Sequence, residues 1–175
     1  MLPAITALLG SFVAADQTLI DLPTLEAKPL VAADGSFSLV PPPGWSPSNE
    51  FDQVKPLIAL VPPANARDGK PLILVDADPD GYFRRKKVGP KDLAVAAVND
   101  AKRRSVSVGN VTAFPKTQAA SDAWEFSMGG RPGDNFYVVF DFKGRYLQLT
   151  CQNAHRSECV ESLRTLKTIY KRRGS

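Results

Sequence analysis

The stretch Phe136-Tyr137-Val138-Val139-Phe140-Asp141-Phe142, followed by Lys143-Gly144 and then Tyr146-Leu147-Gln148-Leu149-Thr150-Cys151, decides the fold class. The first run alternates apolar residues with the period of two that a strand imposes, Lys143-Gly144 turns, and the second run returns. Asn153 to Glu158 then makes a short polar loop to Cys159, which opens a basic amphipathic helix ending in Lys171-Arg172-Arg173. These residues predict a β-hairpin stapled to a terminal helix by a Cys151–Cys159 disulfide, and with it an oxidising compartment. They carry no chemistry by themselves.

Outward from that hairpin, the terminal helix is expected over about Ser157 to Lys171, with Ser157 as N-cap and Val160, Leu163, Leu166, Ile169 and Tyr170 turned inward. Upstream, Trp124, Phe126 and Met128 alternate with Glu125 and Ser127 as a half-buried strand, and Ser105 to Phe114 reads as another. Lys91 to Arg104 is a helix with Leu93, Ala96, Ala97 and Ala101 on one face, opened by Gly89-Pro90. Leu57 to Val61 and Leu72 to Val75 are compact apolar strands, and Phe37 and Leu39 share a face of an earlier one. Strands, a helix, more antiparallel strands and a helix give an α+β class: an antiparallel β-sheet sandwiched by helices, with the C-terminal helix packed on the sheet.

A chain of 175 residues with 43% hydrophobic and 23% charged content is long enough for one domain with a real core. Its 15 prolines fall between apolar runs, where they end strands. Asp34-Gly35 is the expected start of a single domain over 34–175, behind an N-terminal segment or linker over 16–33. Residues 1–15 are a candidate signal peptide: an apolar stretch closes in Val13-Ala14-Ala15 before Asp16, although no Lys or Arg precedes Lys28. That stretch is too short to span a membrane. The net charge of +4 is mild, and of the interleaved aromatics or recognition helix of a nucleic-acid binder the basic clusters show only Tyr82-Phe83 beside the first, so no nucleic acid is expected.

The element order, with the entry Phe37-Ser38-Leu39-Val40-Pro41-Pro42-Pro43-Gly44-Trp45, resembles the PsbP-like superfamily over about Asp34 to Arg173. The resemblance implies an α/β/α sandwich with a mid-chain helix and a C-terminal helix on the sheet. It also implies a protein-binding scaffold without enzymatic activity, here a bacterial exported member. The superfamily includes photosystem II extrinsic subunits, a small-GTPase-binding nuclear import factor, exported lipoproteins and chaperones for secreted effectors. Fold alone does not fix function.

Few constellations suggest chemistry. Cys151 and Cys159 lack the Cys-x-x-Cys spacing of a redox pair. With His155, the only histidine, they are too few for a structural zinc site. A Cys159–His155 dyad would require the disulfide to be absent, and a loop histidine in solvent is the plainer reading. Asp76-Ala77-Asp78-Pro79-Asp80-Gly81 matches the opening of a calcium loop, but its twelfth position is Lys87 rather than a bidentate acid. Asp76, Asp78 and Asp80 are therefore weak cation candidates, read first as a turn whose acids pair with the following cluster Arg84, Arg85, Lys86 and Lys87. That basic cluster is in turn a weak binding candidate. Gly129-Gly130-Arg131-Pro132-Gly133 lacks phosphate-loop spacing. No cofactor, catalytic residue or metal is assigned.

Three functions follow. The leading one is a non-catalytic, exported protein-binding or accessory domain of a bacterial envelope, periplasmic or secreted. The second is a cytosolic adaptor or effector chaperone, with Tyr137 and Val139 on an outer face free to shield a client. The third is an enzyme with an unrecognised site.

Overall fold

Strands β9 (Asn135–Phe142) and β10 (Arg145–Gln152) form the expected hairpin, in antiparallel register from Arg145↔Phe142 to Gln152↔Asn135. The computed structural model describes residues 28–50, 55–63, 71–117, 120–129 and 135–169. At the hairpin turn Lys143 and Gly144 have φ of 53° and 81°. Two successive positive angles give the backbone twist that a two-residue turn needs to match its flanking strands.

This hairpin is the centre of a large antiparallel sheet. Its other members are β3 (Ser46–Pro47), β4 (Ile58–Val61), β5 (Leu72–Asp76), β6 (Ser107–Val108), β7 (Thr112–Ala113) and β8 (Ala123–Gly129). The strand order is β3-β4-β5-β10-β9-β8-β6, with β7 pairing the same outer strand β8. Both outer ends are two-residue strands, one of them carrying Pro47, which leaves little edge for another chain to extend. A second sheet, order β1-β2-β11, joins β1 (Leu30–Val31), β2 (Phe37–Leu39) and β11 (Lys167–Thr168).

The two faces of the large sheet are covered differently. Phe136, Val138 and Phe140 of β9, with Leu147 and Leu149 of β10 and Leu72 and Leu74 of β5, point to a main core shared with Phe37, Leu39, Trp45 and Leu163. Trp45 is thus folded onto the core. The opposite face is covered by α2 (Pro90–Arg103), whose Ala94 and Val98 pack on Phe126 and Val139. Asp92 takes the Gly89 N–H at 3.3 Å and closes the start of that helix. On the main-core side, α3 (Arg156–Arg164) and the small sheet complete the sandwich.

Several boundaries differ from those read in the sequence. The final helix ends at Arg164, not near Lys171, and its cap is His155 with no side-chain bond, so Ser157 lies in the first turn. Thr165 stops it: its hydroxyl donates to the Ser162 carbonyl at 2.7 Å and accepts the Val40 N–H at 2.7 Å. The chain is thereby drawn alongside β2, and Lys167 and Thr168 become a strand there. Leu30 and Val31, expected in a linker, pair with Leu39 and Ser38. The expected strand from Ser105 to Phe114 is β6 and β7, parted at Gly109, whose N–H meets the Ser127 carbonyl at 2.8 Å. In α2 the buried face is Ala94, Val98 and Ala101, while Ala96 is exposed. The candidate signal peptide, the Gly130 to Gly133 part of the glycine-rich turn, Tyr170 and the basic tail lie outside the described residues.

No atom lies within 4 Å of a Cβ built on Gly144, so substitution there tests backbone conformation alone. Gly144→Ala is expected to destabilise the protein by about 1–2 kcal/mol, read as a thermal midpoint lowered by about 2–4 °C per kcal/mol.

Candidate functional site

The segment from the end of β5 to the start of α2 gathers most of the candidate residues. Asp76 accepts the Asp78 N–H at 2.9 Å and the Arg145 Nε at 2.7 Å. Asp78, 2% exposed, faces the other way. Its oxygens accept from the Phe83 N–H (3.0 Å), the Arg84 N–H (3.1 Å) and Arg84 Nε (3.2 Å). It thereby tethers the one-turn helix α1 (Tyr82–Arg85) to the end of the strand. The Asp80 carbonyl receives Arg85 Nη1 at 2.6 Å.

The three carboxylates therefore serve separate duties. Among the described residues no three His, Cys, Asp or Glu side chains are grouped to hold a metal ion. Burial pushes the Asp78 carboxyl up, but the Phe83 and Arg84 N–H groups and the Arg84 guanidinium outweigh it and hold the pKa below its ordinary value. The expected pairing of acids with the basic cluster is realised for Asp78 and Arg84, whereas Asp76 pairs with Arg145.

Arg145 opens β10 and reaches three elements at once. Its Nε meets Asp76, and its Nη1 meets the Asp34 carboxylate and the Ser36 hydroxyl, the latter at 3.0 Å. At Asp34, burial raises the pKa, while the Ser36 hydroxyl, Arg145 and the Ser36 N–H bring it down to about 2. Burial lowers the Arg145 pKa and its two acid partners raise it, with the net shift upward.

The basic cluster divides. Arg84 is engaged by Asp78 and by the Gly144 carbonyl, and Arg85 by the Asp80 carbonyl. Lys86 and Lys87 are exposed. Farther off, Asp100 pairs with both Arg103 (3.3 Å) and Arg104 (2.7 Å), as a solvated helix end would. The structure bonds Cys151 to Cys159 with Cα atoms 6.6 Å apart, both side chains buried. His155 is not directed at them: its ring stands edge-on to Trp45 at 5.3 Å and its Nδ1 meets Glu158 at 2.9 Å. Val139, expected on an open face, lies under α2 at 2% exposure, and Tyr137 stacks on Phe126.

Sequence reasoning missed an open cleft of about 610 Å³ between β1 and the β3–β4 edge, lined by Leu30, Val31, Asp34, Leu57 and Ile58 among others. These residues share no periodic motif, so only the pairing of Leu30 and Val31 with β2 could have signalled it.

No protein-family model matches the chain, and no curated protein sequence does. Solved structures do. Cyanobacterial PsbP (CyanoP) from Synechocystis sp. PCC 6803 matches with a TM-score of 0.53 and 11% identity over 92% of this chain and 99% of that one. The fold is PsbP-like. At that identity the likeness concerns the fold alone. LpqN of Mycobacterium tuberculosis, described as involved in cell envelope biogenesis, matches with a TM-score of 0.42 and 13% identity over 82% of this chain and 90% of that one. No described helix is long and apolar enough to cross a membrane.

The scaffolding duty of Asp78 predicts that Asp78→Ala lowers the thermal midpoint clearly. Asp80→Ala, which leaves the backbone carbonyl to Arg85, should stay within about 2 °C of the parent. Equal losses for the two variants would contradict the assignment. A carboxyl with a depressed pKa stabilises the fold fully above its unfolded value near 3.8 and loses that contribution as pH falls towards about 2. Denaturant titrations stepped through that window should therefore show a shallower acid decline for Asp34→Asn than for the parent.

Proposed function

We propose that this chain is an exported, non-catalytic accessory domain of a bacterial envelope that works by binding another protein. The observation that carries the reading is the Cys151–Cys159 pair, bonded and buried at 1% and 0% exposure. Disulfides of this kind persist in oxidising compartments and are rare in the cytosol. Closing so short a loop stabilises the fold by about 2.5 kcal/mol in the chain-entropy model. Val13-Ala14-Ala15 before Asp16 agrees with export, and the PsbP-like fold agrees with an accessory role.

The polar groups of the described site also support it. Asp34, Asp76, Asp78, Arg84 and Arg145 are all engaged in joining strands and turns to one another. A general acid or base would instead have to stand within reach of a substrate with its proton available. The cytosolic alternative requires reduced cysteines in a position where both are enclosed. Its shielding face would also need Val139, which α2 covers.

Intact mass of the protein from its natural host, with and without reduction and alkylation, tests the reading. The expected result is loss of the residues before Asp16 and two thiols that alkylate only after reduction. A full-length chain with two freely alkylated cysteines would overturn export. Crosslinking in intact cells should then give a discrete adduct with a second envelope protein, and a chain that stays uncrosslinked at saturating reagent would overturn the accessory role.

A further inference from the structure

The ten residues from Tyr82 to Lys91 contain five cations, Arg84, Arg85, Lys86, Lys87 and Lys91, and no carboxylate. Of the acids on either side, Asp78 is engaged by α1 and Asp92 by the Gly89 N–H, while Asp80 is exposed and gives Arg85 only its backbone carbonyl. Within the run, Arg84 is held by Asp78 and Gly144, and Lys91 stands over the Trp124 ring at 4.7 Å. Lys86 and Lys87 have no carboxylate partner among the described residues.

Tyr82 opens the same turn and is 54% exposed, one of two large apolar side chains more than half exposed among the described residues. The Lys86 N–H donates to its carbonyl at 3.1 Å, which puts Tyr82 and Lys86 one helical turn apart on one side. Phe83 buttresses the tyrosine ring edge-on at 5.4 Å. Lys87 is held at φ 56°, a left-handed conformation that a side-chain-bearing residue rarely adopts.

Each of these features works against stability: an exposed aromatic, adjacent unpaired cations and a strained lysine. Yet buried Asp78 fixes the turn with three hydrogen bonds. Local rules broken on a rigid support mark a surface kept for use.

We propose that Tyr82, Lys86 and Lys87 form a docking spur that seats the domain on an anionic lipid surface. A tyrosine ring with its hydroxyl suits the boundary between headgroups and acyl chains, and flanking cations meet lipid phosphates. The kind of cation decides between lipid and an acidic protein. Guanidinium forks match carboxylates in pairs, but Arg84 is already engaged by Asp78 and Arg85 by the Asp80 carbonyl. The free cations are lysines, point charges suited to a diffuse sheet of phosphates. The spur goes beyond the accessory role and does not depend on export, which the mass measurement decides separately.

Flotation of the mature chain with vesicles tests it, comparing pure phosphatidylcholine with about 30 mol% phosphatidylglycerol. Binding to the anionic vesicles alone, lost between about 0.05 and about 0.5 M salt, is expected. Lys86→Gln with Lys87→Gln should weaken it by about 30-fold. Tyr82→Ala should weaken it several-fold with the salt dependence unchanged. Lys102→Gln with Arg103→Gln removes the same charge elsewhere and should bind as the parent does. All of these side chains are exposed, and unchanged thermal midpoints check that the variants fold. Absence of anionic binding, or an equal loss in the control pair, would overturn the spur. Displacement by polyglutamate as readily as by free phosphatidylglycerol vesicles would overturn the lipid assignment in favour of an acidic protein.

Discussion

Strand β9 has to be apolar on both faces, and the rest of the architecture follows from that. Val138, Val139 and Phe140 are consecutive and exposed at 0%, 2% and 0%. Since successive side chains point to opposite faces, two separate covers are required. On one side the cover is α2, through Ala94 and Val98; on the other it is the main core with Leu163 of α3 and Phe37 of the small sheet. Full burial of such side chains stabilises the fold by about 1.5–3 kcal/mol each. A one-residue slip against β10 would turn the core-facing set of that strand outward, and the Lys143-Gly144 turn is what holds the register.

Charged and hydroxyl groups then join the covers to the sheet. Arg145, at the start of β10, ties the end of β5 to the Asp34–Ser36 turn before β2. At the far end of β2 the Ser162 hydroxyl donates to the Val40 carbonyl, and Thr165 accepts the Val40 N–H. The small sheet is thus held at both ends of its central strand, and the polar clamps say where it sits more than how strongly. A half-buried ion pair repays its own desolvation with little surplus, so the contribution lies in specifying one arrangement.

Legibility in the sequence followed how local the deciding interaction was. The hairpin, the Trp124–Phe126–Met128 strand and the start of α2 at Gly89-Pro90 could all be read, because each is set by alternation or by residues within one turn. The end of α3 could not. Helical spacing runs on through Leu166 and Ile169, and only the contact of Thr165 with Val40, 125 residues away, converts Lys167 and Thr168 into a strand. Leu30 and Val31 failed for the same reason, since two residues show no period until a partner strand stands beside them. At the candidate site, the acid–base proximity of 76–87 was visible, but the particular pairing of Asp76 was not: Arg145 lies 69 residues away.

The placement of the disulfide explains why it is more than a marker of compartment. α3 has nine residues, too few to be stable alone, and its cap His155 offers no side-chain bond to the helix N–H groups. Glu158 in the first turn compensates part of that deficit through its charge and its contact with His155. Cys159 supplies the remainder by fixing the first turn covalently to the end of β10. Trp45 lies against His155 above that junction and belongs to the same buried cluster as both cysteines. The Pro-Gly-Trp turn and the cysteine pair therefore serve one purpose, which is to hold an intrinsically weak helix over the main core. The helix then delivers Leu163 to the core and Ser162 and Thr165 to Val40, so the small sheet rests indirectly on the covalent bond.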